Sequence, residues 1–215
     1  MDRILVMTGQ HLLGEGLVYL LNAGNPGYEV SYCSSLEELS AAMIHAEFQA
    51  ILLAEPTDGL LILSTIKRIR SIHNPPRIIV LPRRDTFSSP AHLCRLGVHA
   101  VLHFDCSPQE LQHAVASTIE GRTYMSSTAR QQLAAELCEN DHFHIKLSYR
   151  EFEIFSLLIR GYSIEQIARW VSISKKAVST HKTAIQTCLH THGLSGMVIY
   201  ALKHRLLISQ EQSGI

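Results

Sequence analysis

Ser163-Ile164-Glu165-Gln166-Ile167-Ala168-Arg169-Trp170-Val171-Ser172-Ile173-Ser174-Lys175-Lys176-Ala177-Val178-Ser179-Thr180-His181-Lys182-Thr183 reads as a short helix, a tight turn and the start of a longer helix. Ser163 followed three residues later by Gln166 is a capping box, in which each side chain satisfies a backbone N–H at the helix start. Ile164, Ile167, Ala168 and Val171 form one apolar stripe. Ser172-Ile173-Ser174 makes the turn. Ser174 then caps a helix from Lys175 to about Leu189, with Val178, Ile185 and Leu189 facing inward. Upstream, Ser148 and Glu151 make a second capping box ahead of Phe152, Phe155, Leu158 and Ile159, and Gly161 suits a left-handed C-terminal cap. Downstream, Ser195 is the expected cap of a fourth helix containing Met197, Val198, Ala201 and Leu202. Residues 147 to about 208 show helical periodicity only.

Residues 1–125 have a different rhythm. Ile4-Leu5-Val6-Met7, Glu29-Val30-Ser31-Tyr32, Ala50-Ile51-Leu52-Leu53, Ile78-Ile79-Val80-Leu81 and Ala100-Val101-Leu102 read as strands. Helical patterns separate them, running to about Leu21 and then near residues 36–46, 60–72, 88–97 and 108–120. Strands that are apolar on both faces and alternate with helices imply a parallel sheet covered on both sides. The expected fold is α/β followed by all-α: a flavodoxin-like (βα)5 domain over residues 1–125, a connector over 126–146 with one helical stretch (Thr128 to Cys138), and a four-helix domain over 147–215.

Composition narrows the classes. The chain has 215 residues, 46% of them hydrophobic and 18% charged, enough apolar material for packed cores. Runs such as Ala50 to Ala54 and Leu60 to Leu63 fall far short of the ~20 apolar residues that span a bilayer, and the first residues read as a strand rather than a secretion signal. Five scattered cysteines without a C-x-x-C pair suit reduced thiols and a cytoplasmic location. Net charge is zero, yet it is divided: residues 1–125 hold 9 Lys/Arg against 12 Asp/Glu, while residues 147–209 hold 8 against 3. A basic helical domain tied to an acidic α/β domain points to nucleic acid.

A short helix, a turn and a longer basic helix is the geometry that places the second helix in the major groove. Outside its buried stripe, that helix presents Lys175, Lys176, Ser179, Thr180, Lys182, Thr183 and Gln186. The lysines suit phosphates, which supply affinity without sequence reading. Ser179, Thr180 and Thr183 are short enough to reach base edges or a thymine methyl. A helical bundle with a solvated lysine face is the plain alternative.

Leu147-Ser148-Tyr149-Arg150-Glu151, Arg160-Gly161-Tyr162-Ser163, Gln166-Ile167-Ala168 and Ile173-Ser174-Lys175-Lys176-Ala177-Val178-Ser179-Thr180-His181-Lys182 together resemble the LuxR/NarL-type DNA-binding domain, without gaps to about Leu207. The resemblance makes the third helix the recognition helix, puts Ser179, Thr180 and Thr183 at base-facing positions, and gives the fourth helix dimer contacts. Departures stand out. His190-Thr191 replaces a common Gly-Val pair, and Trp170 and Ser172 stand where a basic residue and a glycine are frequent.

The α/β half resembles the receiver of a response regulator. The residues carrying this likeness are Glu15-Gly16-Leu17, Asp58-Gly59-Leu60 and Asp105-Cys106-Ser107-Pro108-Gln109-Glu110-Leu111. The resemblance implies a phosphorylation site: an acidic pair for Mg²⁺, an aspartate nucleophile, a Thr or Ser, and a Lys. Aligned by the flanking motifs, those positions hold Thr8 and Gly9, Ala54, Pro82 and Phe104. None can perform the corresponding task, so a pseudo-receiver is expected; Glu55 falls one residue late. The resemblance also places self-association on the fourth and fifth helices and the fifth strand, roughly residues 88–120.

Other chemistry finds little to stand on. His142-x-His144 and His190-x-His192 lack the further ligands a zinc site needs. No nucleophile elbow, zincin helix, P-loop or dinucleotide fingerprint occurs, so neither an enzyme nor a cofactor is expected. The reading is a transcription regulator that binds double-stranded DNA as a homodimer, or as a heterodimer with a related regulator, on half-sites about one helical turn apart. No membrane partner is expected. Two rivals stay open: an interaction protein that titrates another regulator without reading DNA, and a regulator gated by a ligand in the pocket of Ala54, Pro82 and Phe104.

Overall fold

The computed structural model describes residues 1–54, 59–82, 89–138, 143–204 and 206–207, with only the backbone described at 59–61 and 63. Glu55, Asp58 and His142 lie outside these residues.

Six parallel strands form one sheet: β1 (Asp2–Met7), β2 (Tyr28–Cys33), β3 (Ala50–Ala54), β4 (Arg77–Leu81), β5 (Ala100–Val101) and β6 (Tyr124–Met125), in the spatial order β2-β1-β3-β4-β5-β6. The register aligns Met7 with Cys33 and Leu53, and Ala54 with Leu81. Successive strand side chains point to opposite faces, so each strand feeds two cores. Ile4, Val6 and Leu52 pack on one side with Leu17 and Leu21 of α1 (His11–Gly24) and with Leu111, Ala114 and Val115 of α5 (Pro108–Ile119). Leu5, Met7, Ile51 and Leu53 pack on the other side. Their partners there are Leu39 of α2 (Leu36–His45), Ile62, Ile66 and Ile69 of α3 (Gly59–Arg70), and Leu93 of α4 (Pro90–Arg95).

The fold is the expected receiver-type sandwich with one addition. The sixth strand pairs Tyr124 and Met125 with Ala100 and Val101, just ahead of the connector. Two residues are too few to show a period of two, so only the open edge of β5 explains them. Helix α6 (Ser127–Cys138) begins one residue before the stretch the sequence predicts. Its Ala129 enters the α3–α4 core.

Beyond a 3-10 turn (Phe143–Lys146) come α7 (Tyr149–Ile159), α8 (Ile164–Trp170), α9 (Lys175–Cys188) and α10 (Gly193–Lys203). Both capping boxes form, at Ser148/Glu151 and Ser163/Gln166. Gly161 adopts φ +85°, the left-handed conformation that glycine takes without a Cβ penalty. The core is Phe152, Phe155, Leu158, Ile167, Val178, Ile185, Leu189, Met197 and Ala201. The expected cap at Ser195 is corrected: α10 begins at Gly193, with His192 in the cap position and no side-chain cap bond. Ser172 and His190, two of the positions where the LuxR/NarL pattern favours glycine, have φ of 54° and 51°. Both follow helices and turn the chain through a left-handed residue, which disfavours side chains other than glycine.

The two halves pack together through α3, α4 and α7. The His92 ring lies 3.6 Å from that of Phe152, tilted by 17°. Lys67 Nζ sits 3.3 Å above the Tyr149 ring and 3.8 Å from Glu153, which also accepts from Arg150 at 2.8 Å. The Arg95 guanidinium donates to the carbonyls of Ile145 and Leu147. Leu96 touches both cores. From α6, the buried Glu136 carboxylate accepts from Ser89 Oγ at 2.9 Å and Ala91 N at 3.1 Å, at the positive end of α4. Pro90, Ala91, His92 and Leu93 are thereby buried, which covers part of the expected association face over residues 88–120.

Candidate nucleic-acid interface

Helix α9 is held by three neighbours. Ser174 Oγ accepts from Ala177 N at 3.1 Å and starts it. Val178 and Ile185, both fully buried, fix its rotation against α7 and α8. With 3.6 residues per turn, the side opposite that stripe carries Lys176, Thr180, Thr183 and Thr187 at spacings of four, three and four. All four are exposed, as are Ser179 and Lys175 on the flank. Lys182 lies further round that flank and is half-buried. The structure therefore divides the expected DNA-facing residues: Lys176, Thr180 and Thr183 share the outer face, Ser179 and Lys175 border it, and Lys182 stands behind them.

Two features of this face escaped the sequence. Lys175 Nζ is 2.9 Å from Glu165 Oε1 of α8, and both are exposed. The hydrogen bond from Lys175 and its charge keep the Glu165 carboxyl below its ordinary range. Glu165 thus competes with any phosphate for Lys175, whereas no ion pair with another described residue constrains the exposed Lys176. Thr187 also joins the outer face; its four-residue spacing from Thr183 was the available signal.

Trp170 is half exposed and tilts against the Tyr162 ring, with centroids 6.3 Å apart, so it serves local packing.

The five receiver positions converge at the C-terminal edge of the sheet, where α/β folds of this type carry their sites. Thr8 follows β1, fully buried, and its hydroxyl accepts from Gln10 N at 3.3 Å. Gly9 is exposed beside it. Ala54 ends β3 with no exposed surface, and Pro82 is buried after β4. Phe104 N donates to the Pro82 carbonyl at 3.2 Å, while the Phe104 ring is 39% exposed. Of these positions, Ala54 and Pro82 are buried, whereas Phe104 is partly open to solvent. No cluster of three or more His, Cys, Asp or Glu among the described residues could hold a metal, and no helix among them is long and apolar enough to cross a membrane.

Comparison with known proteins agrees with this architecture. Residues 146–201 match the family described as bacterial regulatory proteins, luxR family. The oxygen regulatory protein NreC of Staphylococcus haemolyticus (strain JCSC1435) is 32% identical over 140 residues, which are 61% of this chain and 64% of that protein. The protein of the same name from Staphylococcus aureus (strain JH9) is 31% identical over the same shares. The chain thus spans just under two thirds of the length of these relatives. In fold, it is similar to RcsB from Salmonella enterica serovar Typhimurium bound to promoter rprA in the presence of a phosphomimetic: TM-score 0.70 at 17% identity, covering 93% of this chain and 97% of that one. A structure of two RcsB dimers bound to two parallel DNAs has a TM-score of 0.59 at 17% identity, covering 94% and 98%. Residues 146–201 thus form a helix-turn-helix similar to the luxR family of bacterial regulatory proteins, joined to a receiver-type α/β fold.

Proposed function

We propose that this chain is a sequence-specific DNA-binding transcription regulator whose receiver-like domain works without aspartyl phosphate, as a dimerisation or partner-binding module. The observation that carries the reading is the outer face of α9: exposed, basic at its start and lined with short polar side chains, while His92, Arg95 and Lys67 of the α/β domain touch α7 and the turn ahead of it. Lys176, Lys182 and, where Glu165 releases it, Lys175 bind phosphates; Ser179, Thr180 and Thr183 face bases. The neighbours solved on DNA lend support as relatives in fold.

The test is a binding titration of the full chain against genomic fragments at several salt concentrations. Lys176→Ala weakens binding to every sequence and lowers the salt slope by about one unit. Lys175→Ala does less, because Glu165 already occupies that ammonium. Thr180→Ala and Thr183→Ala cost about 1–3 kcal/mol on the best site and much less on random DNA. Unchanged affinity in all of these variants would transfer the reading to the interaction-protein rival.

The pseudo-receiver has its own test. Alanine at 54 has no nucleophile, and Thr8 and Gly9 offer no carboxylate for Mg²⁺. Acetyl phosphate with Mg²⁺ therefore leaves the intact mass and the sedimentation coefficient unchanged. A stoichiometric phosphoryl adduct on the α/β domain refutes the claim. Association, as a homodimer or with a related regulator, uses α5 and the strand edge, or requires α7 to leave α4.

A further inference from the structure

The hydroxyls along the outer face of α9 all point back into the helix. Ser179 Oγ donates to the Lys175 carbonyl at 3.1 Å, and Thr180 Oγ1 to that of Lys176 at 3.1 Å. Thr183 Oγ1 donates to the Ser179 carbonyl at 3.2 Å, and Thr187 Oγ1 to that of Thr183 at 3.0 Å. A hydroxyl has one hydrogen and two acceptor lone pairs. With the hydrogen engaged four residues back, each of these oxygens offers its surroundings acceptor capacity only. The threonines add a methyl on the same Cβ. Their exposed stripe is thus a row of methyls and acceptors, already in its bonded rotamers before any ligand arrives.

We infer that α9 selects thymine methyls, so that its half-site is centred on adjacent A·T pairs; this rests on the DNA-reading proposal above. The major-groove edges decide it. An A·T pair presents an amino donor on adenine N6 and a methyl on thymine C5, matching both features of a back-bonded threonine. A G·C pair presents the same tally of one amino donor and two acceptors but no methyl, so the thymine methyl is what separates the two pairs for these side chains. α9 contains no arginine or asparagine, its glutamine, Gln186, is half-buried, and Lys175 is held by Glu165. Lys176, the exposed lysine on the stripe, is assigned to phosphate, so no guanine contact is expected within the site.

The experiment uses the full chain. Its preferred duplex is selected from a random pool, and each thymine in it is then replaced by deoxyuridine, which pairs identically and lacks the methyl. The expected site has two or three neighbouring A·T pairs. Deoxyuridine at one or more of them weakens binding about three- to fivefold, the size of one methyl-sized group withheld from apolar contact. Thr183→Ser, which keeps the hydroxyl and deletes the methyl, abolishes the deoxyuridine effect at one position. Thr183→Val, which keeps the branched shape and its methyls without the hydroxyl, retains that effect. A selected site of G·C pairs, or deoxyuridine substitution without effect at every position, overturns the inference while leaving DNA reading intact. Failure to bind any duplex overturns the parent reading as well.

Discussion

Phe152→Ala is expected to cost about 3–5 kcal/mol of stability. The ring is 1% exposed at the centre of the C-terminal core. Alanine there loses the transfer energy of an aromatic ring and leaves a cavity that Phe155, Leu158 and Val178 close only in part. The same ring carries the face of His92 from α4, so the substitution also strips a stacked aromatic contact between the two halves. A domain stability of about 5–15 kcal/mol leaves little after such a loss. Denaturant titration followed by circular dichroism should show a lower midpoint for the helical domain. DNA binding should fall in step, because the phase of α9 is set by this core. A loss below about 1 kcal/mol would show that Phe152 is not the keystone its burial implies.

Acid is expected to weaken the protein through His92 between pH 6.5 and 4. Burial against Phe152 opposes a charge on this imidazole, and the Arg95 guanidinium adds to that effect, pushing its pKa down to about 4. The groups facing it are His144 from the 3-10 turn, with centroids 6.3 Å away, and Arg95 on its own helix. Above pH 6.5 the imidazole is neutral whether folded or unfolded, and the full stability is present. As pH falls below 6.5 the unfolded chain takes up a proton that the folded chain refuses, so stability declines until the folded pKa is reached. A fall from 6.5 to about 4 corresponds to about 3 kcal/mol at the acid end, of which roughly 2 kcal/mol is gone by pH 5. His92→Phe keeps the stack and removes the titration. Its stability should exceed the wild type's by an increasing margin as pH drops from 7 to 5, measured by urea unfolding at each pH. Parallel pH profiles for the two proteins would refute the assignment.

These two expectations meet at one surface. His92 and Arg95 of α4, the adjoining Leu96, and Lys67 of α3 hold α7 and the turn ahead of it. On the function proposed above, the α/β half would act on DNA reading through the orientation of the whole helical domain rather than by covering α9. Loosening the His92–Phe152 stack should alter the spacing at which two such domains meet adjacent half-sites before it alters the affinity of one domain for one half-site.

Local chemistry was enough for much of this. Ser148 with Glu151, Ser163 with Gln166, and Ser174 mark helix starts through bonds that close within three residues, and Gly161 marks an end through its own backbone. The apolar stripes of α7, α8 and α9, and the strands Ile4–Met7, Ala50–Leu53 and Ile78–Leu81, declare themselves because burial repeats with the period of the element. The identities at Thr8, Gly9, Ala54, Pro82 and Phe104 were also legible, since a missing functional group is visible without coordinates. Tertiary structure decided what depends on distant partners or on rotamers. Tyr124–Met125 became a strand because β5 left an edge to pair with. α10 starts at Gly193 rather than beyond Ser195, because His190 turns the chain left-handed and brings the backbone round earlier. Glu136 lies at the start of α4, 47 residues from Ser89 in sequence. Lys175 was spaced as a free cation and is paired across a turn with Glu165. Ser179, Thr180 and Thr183 were legible as short polar residues on the right side of a helix. The direction in which their hydroxyls donate, and so which bases they suit, is a property of side-chain torsions that no residue pattern encodes.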